Sequence, residues 1–99
     1  METIVRIKEV LPISTVEYQS RETGKTEVLH KKNYVVKEGD QTYMIEAQGR
    51  LAELLDQNQA LGIGSLCLLS ARIYTREFLT RDNQRGWATD IIIKSLSIL

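Results

Sequence analysis

The chain is poor in the residues that carry most bond-making chemistry. Its 99 residues include one cysteine, Cys67, and one histidine, His30. A lone cysteine closes no intramolecular disulfide, and one Cys with one His falls short of a structural zinc site. Most nucleophile–base triads lack parts for the same reason, so no catalytic residue, metal ligand or cofactor is expected. No apolar run approaches the ~18–20 residues of a membrane span. Met1-Glu2-Thr3-Ile4-Val5-Arg6 has neither the basic nor the apolar region of a signal peptide. A cytoplasmic chain without a membrane partner is the expectation, a reducing compartment suiting an unpaired thiol. Charge of one sign is lacking too: 13 Lys+Arg balance 13 Asp+Glu, so no bulk field draws the chain to nucleic acid or lipid. A role in nucleic-acid binding has to come from a local patch.

What is present is the composition of a globular protein. Hydrophobic residues make up 42% and charged ones 26%, close to the average for soluble domains and enough for one core at this length. One domain over residues 1–99 is expected. The first half has little helical periodicity and many β-formers. Thr3 to Tyr18 reads as a long first strand with a bend at Pro12, the only proline, because proline removes a ladder donor. Thr26 to Val36 is a second strand, closed by the hairpin signal Lys37-Glu38-Gly39-Asp40. Gln41 to Ala47 is a third. It alternates, with Tyr43, Ile45 and Ala47 toward a core and Thr42, Met44 and Glu46 outward.

The period then changes. Leu51, Ala52, Leu54 and Leu55 fit a helix from Arg50 to Gln59, after Gly49 and stopped at Gly62. Gly64 to Phe78 alternates again as a fourth strand. Cys67, Leu69, Ala71, Ile73 and Thr75 lie on its inner face, with Cys67 a buried, inert thiol. Thr80 to Gly86 is a hairpin loop and Trp87 to Leu99 a last strand. Tyr43, Ile45, Leu69, Ala71, Ile73 and Ile91 are expected in the core, and Trp87 in the core or an interface. Five strands with one short helix between the third and fourth is the layout of an OB-fold, an all-β Greek-key barrel.

Thr23-Gly24-Lys25-Thr26 contains a Gly-Lys-Thr, but position 19 is Gln, so the upstream glycine of a phosphate-binding P-loop is missing. Four residues of the fourth strand, Arg72, Tyr74, Arg76 and Phe78, share one outward face because strand side chains alternate. Binding of single strands without sequence reading needs cations along the backbone and flat side chains for bases to stack on. This face supplies both, and Arg81 and Arg85 follow on the loop. The same pattern also describes a solvated strand face whose aromatics cover a loop or a subunit interface. Lys31 and Lys32 are a second cationic pair, read either as phosphate contacts or as charges that keep an edge strand soluble. Arg50 opposes the helix dipole at the helix start. A ligand contact accounts for it, and so does an ion pair with Glu46 or Glu53. His30 has no acidic neighbour close in sequence.

The run Ala47-Gln48-Gly49-Arg50-Leu51-Ala52-Glu53-Leu54 is similar to the strand-to-helix junction of the bacterial single-stranded-DNA-binding protein family, where Gly-Lys/Arg-Leu-Ala-Glu opens the helix. Gly62-Ile63-Gly64-Ser65 stands where that family has Lys-Gly-Ser before its fourth strand. Ala71 to Phe78 resembles its Gly-x-Leu-x-Thr-Arg-x-Trp segment, and Thr89-Asp90-Ile91 its final strand. The resemblance runs from Glu46 to Ile93. It continues weakly upstream through Gly24-Lys25 and Lys31–Val36, which are similar to small single-domain relatives.

The resemblance implies an OB-fold, non-enzymatic binding of single-stranded nucleic acid (DNA before RNA) and assembly as a dimer or tetramer. With the residue chemistry above, it favours a candidate binding set of Arg72, Tyr74, Arg76, Phe78, Arg81, Arg85, Lys31, Lys32 and Arg50. Two departures narrow the expectation. Thr42 and Gln48 stand where the family carries stacking aromatics, and the family's acidic tail has no counterpart in Ser97-Ile98-Leu99. A specialised or accessory relative is expected rather than a general coat for genomes. The other readings are an OB-fold module that binds protein, one that binds oligosaccharide, and an enzyme, for which no constellation speaks.

Overall fold

The computed structural model of the chain describes residues 1–99. Pro12 divides what reads as one long first strand. It has no N–H to give and its φ is locked, so regular pairing stops on either side. β1 spans Glu2–Val10 and β2 spans Ser14–Gln19. The chain stays close across the bend, where the Leu11 N–H donates to the Asn33 carbonyl at 3.1 Å. β3 (Thr26–Glu38) and β4 (Gln41–Gln48) form a hairpin turned at Gly39 and Asp40, with Gly39 at φ 59, the left-handed region glycine enters without cost. After the short helix α1 (Arg50–Gln57), β5 (Leu66–Leu79) and β6 (Arg85–Ile98) form a second, longer hairpin.

The sheet closes on itself. Its order is β1-β5-β6-β4-β3, and β3 pairs back to β1. Every neighbour is antiparallel except β4 and β6, which touch in parallel through Glu46 and Ile92. Two bulges help the curl: Lys8 is skipped in the β1–β3 register and Lys94 in the β5–β6 register, and a bulge adds local twist and bend. This is an OB-fold, a Greek-key barrel of five strands whose first strand is the bent pair β1 and β2.

Strand alternation fills the barrel. Val5 and Ile7, Tyr34 and Val36, Ile45 and Ala47, and Cys67, Leu69 and Ala71 all point inward and are buried, joined by Ile93 and Leu96. α1 covers one end with Ala52 and Leu55. It is the only helix, and no helix of the chain is long and apolar enough to cross a membrane. It ends at Asn58, earlier than Gly62. Asn58 takes extended backbone angles and its Oδ1 accepts the Ala60 N–H, a local side-chain bond that competes with another helical turn.

Two hairpins run past the barrel. β2 pairs only with the first half of β3, and all of β2 is exposed. β5 and β6 remain paired from Ala71 and Ile93 out to Leu79 and Arg85, and every β5 residue from Arg72 onward is exposed. This second arm corrects the expected burial of Ile73 and Ile91 and, of the two places expected for Trp87, the core. Ile73 is 56% exposed and Trp87 66% exposed, and Ile91 is only partly buried. All three have the inward parity, but the arm carries Ile73 and Trp87 past the opposite wall of the barrel, and only Ile91 still packs against the core. Tyr43 is partly buried against the core, with its hydroxyl donating to Glu38 Oε1 at 2.7 Å.

Candidate functional site

Where β4 and β6 part, an open groove of about 500 Å³ forms, floored by four strands. Lys31 comes from β3, Glu46 and Gln48 from β4, Tyr74 and Arg76 from β5, and Asp90 and Ile92 from β6. The register accounts for the grouping. Lys31 pairs with Gln48, Glu46 with Ile92, Arg72 with Ile92 and Tyr74 with Asp90, so the outward side chains of four strands form one continuous surface. A smaller depression of about 190 Å³ adjoins it and shares Glu46 and Asp90.

Arg72, Tyr74, Arg76 and Phe78 share the outward face of β5, as their spacing requires, and all four are exposed. Tyr74 is 49% exposed and lines the groove. Phe78 lies across the ladder from Gly86, and any side chain at Gly86 would overlap the Phe78 ring. The glycine thus gives the aromatic its bed, an arrangement that also shields a weak point of the strand pair. Arg76 Nε donates to Asp90 Oδ2 at 3.1 Å. Arg72 has no carboxylate within ion-pair distance.

The remaining cations separate. Lys31 lies in the groove, with Nζ 3.8 Å from Glu46 Oε1. Lys32 has the opposite parity and does not belong with it. It is buried, its ammonium 2.9 Å from Asp56 Oδ1 on α1 and 5.7 Å from the Tyr34 ring centroid. Nor is β3 an edge strand here, since it pairs on both sides. Arg50 is exposed and held by Glu53 at 3.1 Å, one turn along α1. The same Glu53 receives His30 Nε2 at 3.0 Å, a neighbour that only folding supplies. Arg81 is exposed at the arm's tip. Arg85 falls on the arm's other face, bonded to Glu77 at 2.9 Å. The nine cationic and aromatic candidates therefore resolve into a core of Arg72, Tyr74, Arg76, Phe78 and Lys31, with Arg81 at the tip and Lys32, Arg50 and Arg85 elsewhere.

Glu46, Gln48 and Asp90 are the groove residues that a search for cations and aromatics passes over. Gln48 Nε2 donates to Glu46 Oε2 at 2.7 Å, so each carboxylate is engaged by a neighbour within the groove. Their outward parity on the third and last strands was the available signal.

Fold and groove define the class: an OB-fold barrel with a polar groove and a protruding two-stranded arm that shows aromatics and arginines on one face. No family model matches the chain, and no curated protein matches it by sequence. Solved structures do match by shape. A mitochondrial single-stranded-DNA-binding protein of S. cerevisiae superposes with a TM-score of 0.59 at 16% identity, over 100% of this chain and 92% of that one. A small single-stranded-DNA-binding protein of Streptomyces coelicolor gives 0.54 at 12% identity, again over 100% and 92%. At these identities the likeness is one of fold.

Proposed function

We propose that the chain binds single-stranded nucleic acid, DNA in the first place, along the groove and the outward face of the β5–β6 arm. The observation that carries the reading is the exposed set Arg72, Tyr74, Arg76 and Phe78 on one strand face, running into a groove that adds Lys31. Tyr74 and Phe78 offer faces for bases, and Arg72, Arg76 and Lys31 meet phosphates. Stacking on such rings is tolerant of sequence because every base has a flat face. The names of the two solved structures similar in fold support the same ligand class. Thr42 and Gln48 give the outer face of β4 no aromatic, which supports a specialised or accessory role over that of a general coat. No bond-breaking step is part of this reading.

The test is fluorescence anisotropy with a labelled oligo-dT of about 16 nucleotides, the upper end of what one OB-fold covers, at several salt concentrations. Binding at low salt that weakens steeply as salt rises, with duplex of the same length binding less, is the expected outcome. A folded protein that binds no single strand at low salt refutes the proposal. That result would favour the second reading, an OB-fold module that binds protein, for which the absence of aromatics at positions 42 and 48 speaks.

Self-association belongs to the same proposal. The outer face of β1 and its neighbours carries Ile4 at 53% exposure with Leu66, Leu68 and Leu99 also exposed, and an apolar sheet face of this kind is suited to a second copy. Light scattering should report a multiple of 11.3 kDa. A monomer at tens of micromolar, as an order of magnitude for such complexes, overturns this part alone.

A further inference from the structure

The groove's cations are already spoken for. Lys31 faces Glu46 at 3.8 Å and Arg76 bonds Asp90 at 3.1 Å, so the four central charges sum to zero. A track that served only to attract phosphate would not hold two carboxylates on its floor. Both lie on outward positions of paired strands, opposite Ile92 and Tyr74 in the ladder, and neither satisfies a buried group, since the hydrogen bonds they accept, from Gln48 and Arg76, are both exposed. The geometry points to Glu46 and Asp90 as residues that set affinity. They occupy Lys31 and Arg76 in the free protein, and a strand binds by exchanging carboxylate for phosphate on these two cations. The Arg76–Asp90 pair is exposed and the Lys31–Glu46 pair partly so, and ion pairs that water reaches are weak, so the exchange is reversible and lowers affinity without abolishing it. Arg72, with no acidic partner, is the cation open to first contact.

The inference rests on the nucleic-acid reading, and one titration separates the two. Asp90→Asn, Glu46→Gln and the double variant keep side-chain size and remove one charge each. Asp40→Asn is the control. It makes the same change in net charge at the β3–β4 turn, six residues from Glu46 and so roughly 20 Å along the strand, beyond the Debye length of about 8–10 Å at 0.1–0.15 M salt. Anisotropy with the oligo-dT of the preceding section should show each single variant binding roughly two- to fivefold tighter and the double roughly the product. The log–log salt slope should stay that of the original protein, since Lys31 and Arg76 meet phosphate in both, and the control should match the original protein in affinity as well. Unchanged or weaker binding by Asp90→Asn and Glu46→Gln, with the original protein binding, overturns the inference and leaves the nucleic-acid reading standing. Weaker binding would mean that the carboxylates accept from bases. No binding by any of the proteins, all folded by circular dichroism, overturns both.

Discussion

Lys32 Nζ sits 2.9 Å from Asp56 Oδ1 and ties the middle of β3 to the last turn of α1. The lysine side chain is 7% exposed and the aspartate 37%. Removing the acid strands a buried ammonium, whereas replacing the lysine by an apolar side chain of similar length removes the desolvation cost with the charge. Asp56→Ala should therefore cost about 2–3 kcal/mol, less than a fully buried pair because the carboxylate is partly wet. Lys32→Met should be close to neutral. Denaturant titration of both variants measures the asymmetry. Equal losses would show that the pair itself stabilises the fold. Lys32→Met should also leave oligo-dT binding and its salt slope unchanged, since this cation faces the barrel.

Leu69 and Ile73 are four residues apart on one strand with the same parity, yet one is fully buried and the other 56% exposed. Leu69→Ala should cost about 2–5 kcal/mol as a buried large-to-small change. Ile73→Ala should stay within about 0.5 kcal/mol, as surface changes do. A large loss at Ile73 would mean that the arm's inner face is covered in solution, by a second copy or a partner.

The arm separates two classes of binding variant. Tyr74→Ala and Phe78→Ala should each weaken single-strand binding by about 1–3 kcal/mol through lost stacking, with the salt slope unchanged. Arg72→Ala should lower the slope by about 0.7. Matching effects on both quantities from all three variants would point to disruption of the arm in place of direct contact.

Gly86 gives an indirect version of the same test. Any side chain there collides with the Phe78 ring. Gly86→Ala should therefore weaken oligo-dT binding much as Phe78→Ala does, by about 1–3 kcal/mol, while barrel stability changes little. The double variant should be no worse than either single one. Additive losses would show that Phe78 can move aside and that the two positions act separately.

Alkali should destabilise the barrel through Tyr34. Burial, with the Asp56 and Cys67 charges adding, pushes its hydroxyl from 10 up to about 12. The neutral phenol is thus favoured in the folded state. Its stabilisation is complete below the unfolded value of about 10 and is lost as pH rises toward about 12. Tyr43 is raised as well, by burial and then by its bond to Glu38, and acts in the same direction. At about 1.36 kcal/mol per pH unit, Tyr34 alone accounts for about 2–3 kcal/mol. Denaturant midpoints at rising pH measure it, and a midpoint that holds level to about pH 12 contradicts it.

Much of the barrel is legible in the residue pattern because the forces behind it are local. Alternation in Gln41–Gln48 sets Ile45 inward and Met44 outward, proline ends a ladder wherever it stands, and Gly39 can take the left-handed turn that the β3–β4 hairpin needs. Arg72, Tyr74, Arg76 and Phe78 share a face for the same reason. Period two names a side of the strand, however, and does not say what stands there. Whether Ile73 and Trp87 meet a core depends on how far β5 and β6 run beyond the barrel wall, and that is decided by closure of the whole sheet. Charge partners are equally long-range. Lys32 finds Asp56 24 residues away, and Arg76 finds Asp90 14 residues away across the ladder. Adjacent in sequence, Lys31 and Lys32 look like one cationic pair, but strand geometry sends one to the groove and the other to the core. The sequence alone determined the faces. Only the closed barrel decided which faces are buried and which cations stand opposite an acid, because burial and ion pairing depend on segments that are distant along the chain.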